Sequence, residues 1–96
     1  MRNINDLTSW EAYEKKLMKK KGFKKLAEKN EAKYQLVRSL IAARLKKNLS
    51  QAELAKRVRT KQPVISRLEN MQSYPTFSLL ERISQALGAK LHVYFQ

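Results

Sequence analysis

The 96-residue sequence contains no cysteine, which excludes a disulfide framework and any metal site built from thiolates. It has one histidine, His92, and two glycines, so neither a histidine metal site nor a glycine-rich phosphate loop has support. The pairs Glu11/Glu14 and Glu28/Glu31 lie among lysines, where ion pairing within a helix is expected rather than acid–base catalysis. We therefore predict that the protein is not an enzyme and holds no metal or cofactor.

Long apolar segments are also absent. No apolar run approaches the roughly 20 residues that span a bilayer, and the first residues lack the apolar stretch of a signal peptide. The length suits one domain with a small core. We expect a soluble cytoplasmic protein with no membrane partner.

Positive charge is the strongest compositional signal. The chain has 21 Lys and Arg against 8 Asp and Glu, a net charge of +13, and residues 1–48 alone carry 14 basic and 5 acidic side chains. Such an excess favours a polyanion or a very acidic protein as the partner. The lysine run from Lys15 to Lys29 does not by itself distinguish these partners, and it is equally compatible with a solvated helix face.

The scarcity of glycine and proline indicates an all-α chain, because only four positions carry strong helix breakers. Thr8 with Glu11 and Ser50 with Glu53 have the spacing of capping boxes, and Gly88 suits the end of a helix. Apolar periodicity and these end signals predict helices at about 8–20, 23–29, 31–47, 50–58, 62–70 and 77–87.

The last residues change period. Leu91, Val93 and Phe95 alternate with the residues between them, which indicates a short β-strand. A strand at the end of a helical protein needs a partner edge. We expect this strand to pair across a homodimer or, alternatively, to dock on the sheet of a partner protein.

Residues 49–70 have the spacing of a helix-turn-helix. Two short helices that cross steeply need a small residue where they touch, and Ala55 supplies it. The second helix can then project its outer side into a major groove about 12 Å wide. The apolar positions that hold the angle between the two helices are Leu54, Val58, Ile65 and Leu68.

Two stretches of this segment resemble the phage-repressor-like (Xre) helix-turn-helix family: Leu-Ser-Gln-Ala-Glu-Leu-Ala at 49–55 and Ile-Ser-Arg-Leu-Glu-Asn at 65–70. More loosely, the wider chain is similar to the HigA-type antitoxins of bacterial toxin–antitoxin pairs. That similarity rests on Tyr34 with Leu40-Ile41-Ala42-Ala43-Arg44, on Ser73-Tyr74-Pro75-Thr76 and on Leu87-Gly88-Ala89-Lys90-Leu91.

The resemblance implies a five-helix repressor-like domain at 30–88, with one or two extra helices at 1–29 and the short strand at 89–96. It also implies a DNA-binding antitoxin that represses its own operon as a homodimer on a palindromic operator. Its partner would be an mRNA-cleaving toxin of the HigB/RelE type, although many antitoxins are acidic and this chain is basic. Two alternatives are a free-standing repressor and an RNA- or ribosome-associated module that binds through the lysine run.

Geometry and family pattern together indicate the DNA-contacting residues. Gln62 suits bidentate pairing with adenine and Arg67 with guanine, while Pro63 and Val64 suit thymine methyls. The candidate base contacts are Gln62, Pro63, Val64, Ser66 and Arg67. The candidate phosphate contacts are Gln51, Lys56, Arg59, Thr60, Lys61 and Asn70.

Arg59 and Lys61 depart from the family pattern, which has glycine at the first position and Ser or Thr at the second. We expect Arg59 to take a left-handed conformation at a cost of roughly 1 kcal/mol. Arg44 falls on the inner side of its helix, and the resemblance implies a partly buried ion pair with Glu69 that supports the structure.

The aromatic and apolar residues before residue 30 allow two interpretations. As exposed anchors they would contact the toxin, because aromatic side chains mark interfaces. Alternatively they pack on the domain itself. The residues concerned are Trp10, Tyr13, Leu17 and Phe23.

Overall fold

The computed structural model describes the backbone of residues 2–95 and the side chains of residues 10–95. The described backbone forms helices and no strand, which confirms the all-α prediction. The helices are α1 (Arg2–Lys19), α2 (Phe23–Lys29), α3 (Glu31–Lys46), α4 (Gln51–Val58), α5 (Gln62–Glu69) and α6 (Phe77–Leu87).

Helix α1 begins earlier than the sequence pattern predicts. The expected capping box at Thr8 and Glu11 is wrong, because Thr8 lies inside a helix that starts at Arg2. No glycine or proline precedes Thr8, so nothing in the sequence stops the helix from extending toward the N-terminus. The other end agrees with expectation: Gly22 takes a left-handed φ of 83° and separates α1 from α2.

Asn30 does not cap α3 with its side chain. The side-chain nitrogen Nδ2 of Asn30 instead donates to the Leu26 carbonyl of α2, at 3.3 Å. At the other end of α3, Asn48 has a left-handed φ of 59°.

Local signals around α4 and α5 agree with the structure. Ser50 Oγ accepts from the Glu53 amide at 3.0 Å, and the Glu53 carboxylate accepts from the Ser50 amide at 2.8 Å. Hydrogen bonding from Ser50, first of all from its backbone amide, holds the pKa of the Glu53 carboxyl below its usual value. Arg59 ends α4 with a φ of 65°, and Lys61 precedes α5 without a side-chain cap.

The core lies where α4 and α5 cross against α3 and α6. Ile41, Leu54 and Ile65 are fully buried, and Ala55, where α4 meets α5, is 2% exposed. Helix α6 closes this core after Thr76, whose hydroxyl caps it by accepting from the Leu79 amide at 3.0 Å. Close packing of this kind fixes the crossing angle of α4 and α5.

The first two helices share this core. Leu17 and Phe23 are each 3% exposed, Trp10 is 9% exposed, and Tyr13 is half-buried. This burial favours the second interpretation, in which these four residues pack on the domain. The reason is geometric, since Trp10, Tyr13 and Leu17 share the face of α1 that lies on α3.

The predicted C-terminal strand is absent from the described residues. Residues 89–95 are neither strand nor helix, and Val93 and Phe95 are 64% and 97% exposed. Leu91, the first apolar residue of the predicted strand, is half-buried beside α3 and α6. An alternating sequence cannot form a ladder where the described chain offers it no second strand.

Candidate nucleic-acid interface

The outer side of α5 carries the candidate base-contacting residues. Gln62, Pro63 and Arg67 are exposed, whereas Ser66 and Val64 are half-buried at the margins of that side. The opposite side of the helix is held in the core by the buried residues Ile65, Leu68 and Glu69. Burial of one side therefore presents the other side of α5 to solvent as a fixed surface.

The inner end of the site is a buried ion pair. Arg44 Nε and Nη2 donate to the two carboxylate oxygens of Glu69 at 2.6 and 2.9 Å. Arg44 Nη1 donates to the Leu49 carbonyl at 2.7 Å, so the guanidinium also fixes the chain that leads into α4. The pair implied by the resemblance is present, and it is more completely buried than expected, with residue exposures of 3% and 0%.

A chain of hydrogen bonds leads from this ion pair to the exposed surface. Gln51 Nε2 donates to Glu69 Oε1 at 2.9 Å, and Gln62 Nε2 donates to Gln51 Oε1 at 2.7 Å. The two glutamines and the ion pair thus form one connected network across α3, α4 and α5. It restricts the orientation of the Gln62 amide before any ligand is bound.

Gln51 has a more internal role than its sequence position indicates. Its amide nitrogen bonds Glu69 and its amide oxygen bonds Gln62. The predicted side-chain contact from Gln51 to phosphate therefore requires its second amide hydrogen or a rearrangement of this network. No sequence pattern indicates the link between Gln51 and Gln62, because it depends on how α4 and α5 cross.

Tyr13 also joins the network from α1. Its hydroxyl donates to Glu69 Oε1 at 3.3 Å, and the Arg44 guanidinium lies 5.7 Å from the centre of its ring. Burial and the nearby Glu69 carboxylate raise the pKa of Tyr13. This hydrogen bond was not predicted, although the position of Tyr13 on the apolar side of α1 was a signal that it faces the domain.

Positive side chains surround the exposed side of α5. Lys56, Arg59, Lys61 and Arg67 are exposed, and Thr60 and Asn70 are half-buried at the two ends of the helix. This distribution matches the requirements of DNA binding, in which cations hold the phosphates beside a base-reading helix.

The described residues contain no group of three or more His, Cys, Asp or Glu that could hold a metal ion. None of the described helices is both long and apolar enough to cross a membrane.

Comparison with known proteins agrees with this geometry. Residues 40–93 match the family model described as "Helix-turn-helix". Over 71 residues, or 74% of this chain, the sequence is 42% identical to antitoxin HigA1 from two strains of Mycobacterium tuberculosis. This chain spans about half the length of HigA1, since the match covers 48% of that protein.

A second relative matches a shorter segment. Over 49 residues the sequence is 39% identical to multiprotein-bridging factor 1c from Arabidopsis thaliana, covering 51% of this chain and 33% of that protein. No solved structure matches.

Proposed function

We propose that this chain, which belongs to the helix-turn-helix family, reads operator DNA with α5 and acts as the antitoxin of a toxin–antitoxin pair. Membership of a family of DNA-binding regulators agrees with the prediction that the chain is not an enzyme. The DNA-binding part of this proposal is supported by the exposed side of α5. A hydrogen-bonded network orients one residue of that side, Gln62, through Gln51 and the buried pair of Arg44 and Glu69.

The dimensions of α5 suit the major groove. An α-helix with its side chains is about 10–12 Å across, which matches the groove width of about 12 Å. Gln62 pairs with adenine and Arg67 with guanine, because each side chain matches the two hydrogen-bonding atoms of that base edge. Pro63 and Val64 contact thymine methyl groups, and Ser66 lies at the edge of the same surface.

The flanking residues hold the DNA backbone. Cationic and polar side chains at both ends of α5 and beside α4 neutralise or bond phosphates, which gives affinity without sequence preference. These residues are Gln51, Lys56, Arg59, Thr60, Lys61 and Asn70.

A homodimer on a palindromic operator completes the proposal. Two-fold symmetry would place two copies of α5 about 34–36 Å apart, one helical turn of DNA. An apolar groove between α3 and α6, lined among others by Leu36, Leu80 and Leu91, supports self-association. Exposed Phe77 and Phe95 add apolar surface to α6 and the tail.

The antitoxin part rests on the similarity to HigA1. We propose a partner of the HigB/RelE type, an mRNA-cleaving toxin. Because Trp10, Leu17 and Phe23 are buried, the toxin must contact other residues. A net charge of +13 disfavours a mainly ionic interface with a basic nuclease, so this interface is apolar or the toxin is acidic.

The test of DNA reading is selection of a binding site from a randomised duplex pool, followed by Arg67→Ala. We expect that variant to lose about 1–3 kcal/mol of binding free energy on the selected site and to lose its base preference at one position of that site. Arg57→Ala removes the same charge from an exposed position on α4 and should leave the sequence preference unchanged. Unchanged preference in Arg67→Ala would contradict the assignment of α5.

The test of the antitoxin part is native mass spectrometry of the tagged protein purified from its own host after nuclease treatment. A stoichiometric small protein that degrades mRNA when freed from this chain would support the proposal. A bare homodimer would favour a free-standing repressor, and retained RNA or ribosomal proteins would favour an RNA-associated module.

A further inference from the structure

We infer that Lys20 and Lys21, in the turn between α1 and α2, form a second phosphate-binding site that extends the DNA interface beyond the helix-turn-helix. This inference rests on the proposed DNA-binding function, and it assigns that function a larger footprint. The observation behind it is that Lys20 Nζ donates to Asn70 Oδ1 at 2.8 Å, although 50 positions separate the two residues.

The position of Asn70 explains why this hydrogen bond matters. Asn70 directly follows the last residue of α5. A recognition helix enters the major groove with its N-terminal residues at the bases, so its C-terminal end lies toward the groove wall, where phosphates lie. A cation bonded to Asn70 is therefore placed at the phosphate backbone whenever α5 reads the groove.

The charge of Lys20 remains available to a phosphate. Lys20 is exposed, and its observed partner is a neutral amide oxygen rather than a carboxylate. The ion pairs among the described side chains are Arg38–Glu14 and Arg44–Glu69, and neither includes a lysine of this turn. Exposed Lys21 lines the same shallow depression as Lys20 and Asn70, together with Gln72.

The same hydrogen bond orients Asn70. With its amide oxygen bonded to Lys20, its amide nitrogen faces α5 and lies 3.5 Å from Ser66 Oγ. Asn70 therefore fixes the position of the Lys20 ammonium, whose remaining N–H groups can donate to a phosphate.

The turn is held in place by the core rather than by the lysines themselves. Leu17 before the turn and Phe23 after it are each 3% exposed. A hydrogen bond from α3 also fixes the chain after α5: Lys33 Nζ donates at 3.1 Å to the carbonyl of Met71, one residue beyond Asn70. The lysines can therefore be replaced without disturbing the packing that positions α1 and α2.

The experiment measures affinity against salt concentration for the full chain, with the selected duplex and with an unrelated duplex of equal length. We expect Lys20→Ala/Lys21→Ala to flatten the slope of log affinity against log salt by about 0.9 for each phosphate that is no longer neutralised. Near 0.15 M salt this corresponds to roughly fivefold weaker binding per phosphate, on both duplexes alike.

Two further variants separate charge from structure. Lys20→Gln keeps a donor for Asn70 but removes the charge, so it should flatten the slope, whereas Lys20→Arg should preserve it. Lys15→Ala is the matched control, because Lys15 is exposed on the same helix, about 160° around α1 from Tyr13 and hence away from α5. It should leave the slope unchanged.

The outcomes are distinguishable from those for the proposed function. If the parent protein prefers no DNA sequence, the proposed function fails. If it binds the selected duplex and the double variant keeps the parent slope, only the second site is wrong. If the double variant loses binding to a structured RNA duplex while its DNA binding is unchanged, the inference is also wrong.

Discussion

Arg44 and Glu69 form a bidentate ion pair at 2.6 and 2.9 Å, and both side chains are almost completely buried. Breaking such a pair leaves one buried charge without compensation. We expect Glu69→Gln to lower the free energy of unfolding by about 3–5 kcal/mol, measured by urea unfolding. Since Gln51 also bonds Glu69, the variant should in addition weaken sequence-specific DNA binding.

The matched control for this prediction is the double variant Arg44→Met/Glu69→Met, which removes both charges and keeps similar side-chain volumes. It should lower the free energy of unfolding much less than Glu69→Gln does, because no buried charge is left unpaired. If the single and double variants are equally unstable, packing rather than charge compensation explains the role of the pair.

Arg59 supplies a second prediction. It is a non-glycine residue with a left-handed φ of 65°, a conformation that costs an L-residue about 1–2 kcal/mol. We expect Arg59→Gly to raise the free energy of unfolding by about 1 kcal/mol, because glycine is not strained there. The same variant should weaken DNA binding on all sequences, because it removes a cation beside α5.

Arg57→Gly is the control for this backbone effect. Arg57 lies inside α4 and is exposed, so glycine there should lower stability by about 1 kcal/mol. Reduced stability in Arg59→Gly as well would show that the Arg59 side chain contributes more than its backbone costs.

Local sequence signals predicted much of this fold because their physical cause is local. The capping box of Ser50 and Glu53 needs only neighbouring atoms. The left-handed turn at Arg59 was expected from the family resemblance, since the family has glycine at that position. The same limit explains the failures. Thr8 has the spacing of a cap but lies within a longer helix, and Leu91 continues an alternating pattern for which the described chain holds no partner strand.

The candidate site divides in a similar way. The outward side of α5 could be predicted, because burial of Ile65 and Leu68 fixes which residues point away. The hydrogen bonds of Lys20 with Asn70 and of Tyr13 with Glu69 could not, since each joins residues at least 50 positions apart. Such bonds depend on how α1 packs against the domain, which apolar periodicity does not specify.

Tyr34 gives a prediction on pH. Its hydroxyl donates to Glu14, and burial, followed by that hydrogen bond and the Glu14 charge, raises the pKa of Tyr34 to about 12 from an ordinary value of 10.0. Because the pKa is higher in the folded state than in the unfolded chain, the stabilisation is complete below pH 10 and disappears as pH rises toward 12.

The measurement compares the parent protein with Tyr34→Phe by urea unfolding at about pH 8 and about pH 11. The parent should lose more stability over this interval than the variant, since the ionising lysines contribute alike to both. Equal losses would mean that Tyr34 ionises as readily in the folded protein as in the unfolded chain.

Tyr13 tests whether α1 supports the DNA-reading network. Tyr13→Phe removes the hydroxyl that bonds Glu69 but keeps the ring near Arg44, so we expect the unfolding free energy to fall by about 0.5–1 kcal/mol. Tyr13→Leu removes the ring as well and should cost about 0.5–1 kcal/mol more, because it abolishes the cation–π interaction. Both variants should lower the affinity for the selected duplex more than the affinity for an unrelated one, because Glu69 orients Gln62 through Gln51. If the affinity for both duplexes falls equally, Tyr13 has no part in base reading and contributes only to packing.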